Sequence, residues 1–187
     1  PTGESSSSPG RRFADNANYF IMECRFMLHD HEYVTRHGER MYQSVPEDRK
    51  PHLARIISES WLVLGNPSEA RRYYDLTANA GGVPKNRTDW FYSGSVLYAV
   101  GDYKGAIESF SNMEVRADSI GQVANYHLGY SYVQTRNKVA AIQAFKEASM
   151  SAFDPAISED AYFNWAKLAF DINNDPSVFQ NYIRRYS

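Results

Sequence analysis

Apolar positions along the chain recur with a helical period, in short runs separated by turn residues. The clearest run is Trp90 to Phe110, which reads as two short helices joined at Gly101-Asp102, each with one apolar stripe. Trp90 and Leu97 are large, Gly94 and Ala106 are small, and Phe110 follows one turn later. Small residues let a partner helix approach, and bulky ones fill the space beside it. No segment shows the two-residue alternation of a strand, so the pattern predicts an all-α protein.

The same unit recurs with variations. Tyr126-His-Leu128-Gly129-Tyr-Ser-Tyr132, a turn at Arg136-Asn137, then Ala141, Phe145 and Ala148 repeat it most closely. Tyr162, Trp165-Ala166 and Ala169 begin a later copy, with Asn174-Asp175-Pro176 as its cap and restart and Val178 and Tyr182 beyond. Before the central run, Ile57, Ser58 and Trp61 are expected inside, followed by Gly65-Asn66-Pro67 as stop and cap, then Ala70 and Tyr74. The first copy is degenerate: Phe20, Cys24 and Met27 are expected on its buried face, while Arg36 and Arg40 stand at inward positions of its second helix. A terminal unit of a repeat array is often atypical. The turn positions are Tyr33, Pro67, Tyr103, Lys138 and Asp175, with spacings of 34, 36, 35 and 37 residues by subtraction. The expected domain map is a flexible arm over 1–16 and a single domain over 17–187, with repeats of about 17–50, 51–86, 87–121, 122–157 and 158–187. Pro1–Gly10 holds no apolar residue to bury.

The order Trp90, Gly94, Leu97, Gly101-Asp102-Tyr103, Ala106, Phe110, and Leu128-Gly129, Tyr132, Ala141, Phe145, Ala148, resembles the tetratricopeptide repeat (TPR). The resemblance implies a right-handed TPR-like superhelix of about five helix–turn–helix repeats. Tyr126-His-Leu-Gly129 followed by Glu159-Asp160-Ala-Tyr-Phe-Asn164-Trp-Ala-Lys167-Leu is moreover similar to the long, exported multi-TPR proteins of Bacteroidetes. That similarity implies an internal portion of a longer chain, in the periplasm or cell envelope.

In such arrays the first helix of each repeat lines a concave face. Carried over by register, the groove positions are Arg25, then His52, Arg55 and Glu59, then Phe91, Ser95 and Tyr98, then Tyr126, Tyr130 and Gln134, then Phe163, Lys167 and Asp171. Of these, Arg55, Phe91, Tyr98, Tyr126, Tyr130, Phe163 and Lys167 are the expected partner-binding residues: an aromatic lane with basic flanks, suited to an extended or helical peptide. Rings that instead pack on a neighbouring helix are the competing reading. The two-carboxylate clamp of chaperone-tail-binding repeats is not encoded, because Phe91, Ser95, Tyr126 and Tyr130 stand where its Lys, Asn and Arg belong.

Composition narrows the function classes. The chain of 187 residues carries a net charge of -2, which gives no electrostatic case for nucleic acid or an anionic membrane. A single cysteine, Cys24, rules out an intrachain disulfide and a thiolate-rich metal site, and at its repeat position a packed, unreactive thiol is expected. No apolar run has the length of a membrane span. His29, His31, Glu32 and His37 straddle a turn and read as solvated residues rather than metal ligands. Asn86-Arg-Thr88 fits a glycosylation sequon, and Asp118-Ser-Ile120 resembles a short O-glycosylation motif. No phosphate loop, nucleophile elbow or zinc-protease motif is present, so no catalytic residue, metal or cofactor is expected. The expected function is a non-catalytic interaction scaffold binding a protein or peptide. The alternatives are a structural spacer that self-associates through exposed ends, or a sensor domain of a larger gene product.

Overall fold

In the computed structural model, which describes residues 9–79, 81–82, 84–114 and 116–187 (backbone only at 9, 11 and 12), regular structure is helical and no strand occurs among the described residues. The elements are α1 (Pro9–Met27), α2 (His31–Ser44), a 3₁₀ turn (Glu47–Arg49), α3 (Lys50–Val63), α4 (Pro67–Asn79), α5 (Arg87–Ala99), α6 (Tyr103–Ser111), α7 (Ser119–Gln134), α8 (Lys138–Met150), α9 (Pro155–Asn173) and α10 (Ser177–Tyr186). None of these helices is long and apolar enough to cross a membrane. Residues 1–8 of the expected arm lie outside the described residues, and α1 already begins at Pro9.

One turn design recurs. His29, Gly65, Gly101, Arg136 and Asn174 all adopt positive φ, and Asp or Asn follows directly at 30, 66, 102, 137 and 175. In the first four turns that Asp or Asn closes the outgoing helix through its own N–H, bonded to the carbonyls of Arg25, Trp61, Leu97 and Tyr132 at 2.8–2.9 Å. Its side chain then caps the incoming helix, accepting from the N–H groups of Tyr33, Glu69, Gly105 and Ala140 at 3.1–3.2 Å. One residue thus ends one helix and starts the next.

The chain divides into two units, Pro1–Val83 and Pro84–Ser187. In the first, α1 packs on α2 and α3, α2 on α3, and α3 on α4. Its core is built from Tyr19 and Met22 of α1, Val34 and Met41 of α2, Leu53, Ile56 and Ile57 of α3, and Tyr73 of α4. This corrects the expected inner face of the first copy. Phe20, Cys24 and Met27 are exposed, and Arg36 and Arg40 also face solvent, while Val34, Gly38 and Met41 point inward. The cause is register: the cap is Asp30, so His31 rather than Tyr33 corresponds to Tyr103, two residues earlier than the aromatic pattern predicts. In α4 the buried ring is Tyr73, with Tyr74 half-buried.

In the second unit each helix from α5 to α10 packs on the next, with further contacts of α5 on α7 and α7 on α9. Here the expected small-against-large pairing is present. A Cβ added at Gly94 would lie 2.6 Å from the Phe110 ring, and one at Gly129 2.6 Å from the Phe145 ring. Ala106 on α6 and Ala141 and Ala148 on α8 are fully buried. Gly94→Leu and Ala141→Leu are expected to cost about 1–3 kcal/mol each by overpacking. Thermal melting checks this, and variants that melt like the parent would contradict the pairing.

Candidate functional site

The strongest convergence of the predicted residues is on α7 and α9. Tyr126 and Tyr130, one helical turn apart, meet edge-to-face at 5.0 Å and both rest on the buried Phe145 of α8, at 6.3 and 5.1 Å. Both hydroxyls donate to the same oxygen, Oδ2 of Asp160 on α9, at 2.8 and 2.7 Å. Asn164 Nδ2 donates to that oxygen at 3.0 Å and to the Tyr130 hydroxyl at 3.1 Å. Burial foremost, and then the Asp160 carboxylate, push both phenols above their ordinary pKa. They therefore stay protonated as donors, and two half-buried rings are held in fixed orientations.

Tyr98 reaches α7 by another route. Its ring stacks on His127 at 4.2 Å with 15° between planes, and it meets Tyr103 edge-on at 6.0 Å. Burial raises its phenol pKa as well. Phe91 is half-buried, its ring 6.2 Å from Phe110, and its carbonyl accepts from Ser95 Oγ at 2.8 Å. Phe163 is exposed on α9 and meets Tyr182 and Phe179 of α10 at 5.6 and 5.9 Å. Lys167 is exposed one turn beyond Phe163. Tyr98, Tyr126 and Tyr130 are thus joined to one framework through α7, whereas Phe163 turns toward α10. Packing and exposure coexist in these rings: each of the three tyrosines makes an intramolecular contact and keeps part of its surface open.

Arg55 belongs to the first unit, half-buried on α3, with Nη2 3.9 Å from Glu59 Oε2. On the adjoining helix face Glu23 accepts from the Tyr19 hydroxyl at 2.7 Å and lies 3.0 Å from His52 Nε2. The histidines around the first turn have separate engagements. His31 Nδ1 lies 3.0 Å from Ser60 Oγ, and His37 packs on Tyr33 at 4.3 Å. Among the described residues no three His, Cys, Asp or Glu side chains are grouped to hold a metal ion. Cys24, expected as a packed thiol, is instead exposed and lines an open apolar groove with Phe20, Ile21 and Leu28.

The two sequence motifs at 86 and 118 are helix caps. Asn86 accepts from Asp89 N at 2.9 Å, and Asp118 from Gly121 N at 2.8 Å. Asp118 also pairs with Arg87 at 2.7 Å, and this contact, followed by the Gly121 bond, holds its carboxyl below the ordinary range.

Three participants escaped sequence reasoning: Asp160, Asn164 and His127. A usable signal was present for the first two. Tyr126 to Asp160 and Tyr130 to Asn164 are both separations of 34 residues, close to the spacing of the turn positions, and each pair meets between α7 and α9. His127 carried no such mark. No protein-family model matches this chain, and no curated protein matches it.

Proposed function

We propose that the protein is a non-catalytic interaction scaffold of tetratricopeptide-repeat type, a right-handed superhelix of about five repeats, working in the periplasm or cell envelope. A segment of a partner protein binds along Tyr98, Tyr126 and Tyr130, with Phe163 and Lys167 at the far side. The observation that carries the reading is the Asp160 clamp. It fixes two partly exposed aromatic rings in advance, and pre-ordered tyrosines bind with little loss of side-chain entropy. The recurrent turn at 29, 65, 101, 136 and 174 supports the repeat architecture, and the compartment follows from the family resemblance. The groove residues of the second unit form the core of the proposal, with Phe91 as an accessory contact.

Capture of a partner from an envelope extract by the purified protein is the test. Tyr98→Ala with Tyr130→Ala should abolish capture, while circular dichroism stays helical. Capture that survives the double change would end the groove assignment. The spacer reading is favoured by the exposed apolar residues Phe13, Phe20, Ile21 and Met27 of α1 and Leu28 directly after it. A concentration-dependent dimer in light scattering, together with no captured partner, would replace the scaffold by self-association.

A further inference from the structure

Beside the Asp160 clamp, the second unit has a recess of about 380 Å³ lined by Ala156, Glu159, Asp160 and Phe163 of α9 and Tyr182 of α10. The volume is in the range of small-ligand sites. Its walls combine two features that point to the same ligand chemistry. The first is aromatic: Phe163 and Tyr182 both line the space and meet each other at 5.6 Å with 61° between planes. The second is negative charge without a counter-ion. Among the described residues no Lys, Arg or His lies within ion-pair distance of Glu159 or Asp160. Lys167 stands two turns beyond Glu159, and Arg185 is drawn to the Tyr162 and Tyr186 rings at 5.6 and 5.2 Å.

The hydrogen bonding of the two carboxylates sharpens the case. Tyr126, Tyr130 and Asn164 all donate to Asp160 Oδ2, and Oδ1 receives no hydrogen bond from the described residues. These donors are neutral. They orient the carboxylate and leave its charge in place, so the reorganisation a ligand would otherwise require is already done. Among the described residues, Glu159 Oε1 has only the long 3.4 Å contact from the Tyr182 hydroxyl. Ala156 contributes a single methyl group at the recess.

We propose that this recess receives an arginine side chain of the bound segment. A planar guanidinium lies against a ring face and directs its N–H fork at a carboxylate at the same time, whereas an ammonium group offers a point charge and no plane. The inference rests on the groove reading and names its partner: a segment with arginine near the point where it passes α9.

The test is a titration of the whole chain with N-acetyl-arginine amide, followed by NMR of the Phe163 and Tyr182 ring resonances, with the citrulline and lysine amides as comparators. Citrulline keeps the shape of arginine and lacks its charge. Arginine should shift both rings with millimolar affinity, citrulline should leave them in place, and lysine should bind more weakly than arginine. Glu159→Gln, at an exposed position, should weaken arginine about five-fold. Equal responses to arginine and citrulline, no response to arginine, or full affinity in Glu159→Gln would overturn the proposal, and lysine equal to arginine would overturn the choice of arginine. The two readings fail separately. Capture lost in the tyrosine double variant yet unchanged in Glu159→Gln removes the arginine recess and leaves the groove. Arginine-selective shifts without any partner capture leave the recess and remove the groove.

Discussion

Gln122→Leu is expected to lower the folding free energy of the second unit by about 1–3 kcal/mol, because it leaves the Asp154 N–H without its partner and removes the amide's bonds to the neighbouring acceptors. Gln122 is 1% exposed on α7. Its Oε1 accepts from the Asp154 N–H at 2.8 Å, and its Nε2 faces four acceptors: the carbonyls of Ala148, Ser151 and Asp154 and the Ser158 hydroxyl, at 3.0–3.3 Å. The amide has two hydrogens, so it serves the best aligned of these while the others lean on local partners. The effect is to tie the end of α8, the connection 151–154 and the first turn of α9 to one side chain of α7. Asp154, positioned by this contact, caps α9 through the N–H groups of Ala156 and Ile157. Leucine has comparable bulk and none of the donors or acceptors. Urea unfolding followed by circular dichroism measures the loss. Gln122→Glu keeps the acceptor for Asp154 and turns a carboxylate toward carbonyl oxygens, so it should be no better than leucine. A Gln122→Leu variant within about 0.5 kcal/mol of the parent, the range of an ordinary surface change, would show that the network is dispensable.

The helical class and the positions of the turns were legible in the sequence because they depend on local chemistry. Gly65-Asn66 and Gly101-Asp102 announce a left-handed residue followed by a cap, and Gly94 and Gly129 announce close helix approach. The first copy was harder. His29-Asp30 performs the same turn without glycine, and Tyr33, two residues beyond His31, matches Tyr103 by residue type alone. Counting from the cap, the left-handed positions are spaced 36, 36, 35 and 38 by subtraction, more even over the first three intervals than the turn positions that include Tyr33. The two-residue error then turned α1 by more than half a helical revolution, which is why Cys24 was expected inside and lies outside.

The candidate site was legible in one half only. A register of positions along the helices proposes which rings share a face; it does not state what holds them. Tyr126 and Tyr130 were expected to be either binding surface or packing, and the phenol ends show why the alternatives do not exclude each other. The ring flanks rest on Phe145, the hydroxyls end on Asp160, and part of each ring remains open. That arrangement requires a carboxylate from the next repeat, and a single-helix view of the pattern has no means of supplying it.

Acid should weaken the fold in a window set by His127. Its ring is stacked on Tyr98 and packed at 5.9 Å from Phe110, and its Nδ1 is buried with no hydrogen-bond partner among the described residues. Burial pushes the imidazole from its ordinary 6.5 down to about 4. In the unfolded chain the same group takes a proton near pH 6.5, so below that pH the unfolded state binds a proton that the folded state refuses. Stability is therefore complete above about pH 6.5, declines as pH falls toward 4, and levels off once the folded state is protonated too. At about 1.4 kcal/mol for each tenfold change in proton affinity, the full loss is about 3 kcal/mol. Depressed carboxylates act in a lower window. Glu39, held down by the Tyr73 hydroxyl and by Arg72, loses its contribution as pH falls below the ordinary carboxylate range. His31 is also lowered, chiefly by burial, so the acid slope of the parent contains its share. The decisive quantity is the difference between parent and His127→Phe, an aromatic replacement that keeps the stack on Tyr98 and has no proton to bind. Denaturation at a series of pH values from 7 to 4 should show the variant losing less stability than the parent, with a slope smaller by up to one proton. Parallel curves for the two proteins would mean that His127 is protonated in the folded state and that its ring is solvated.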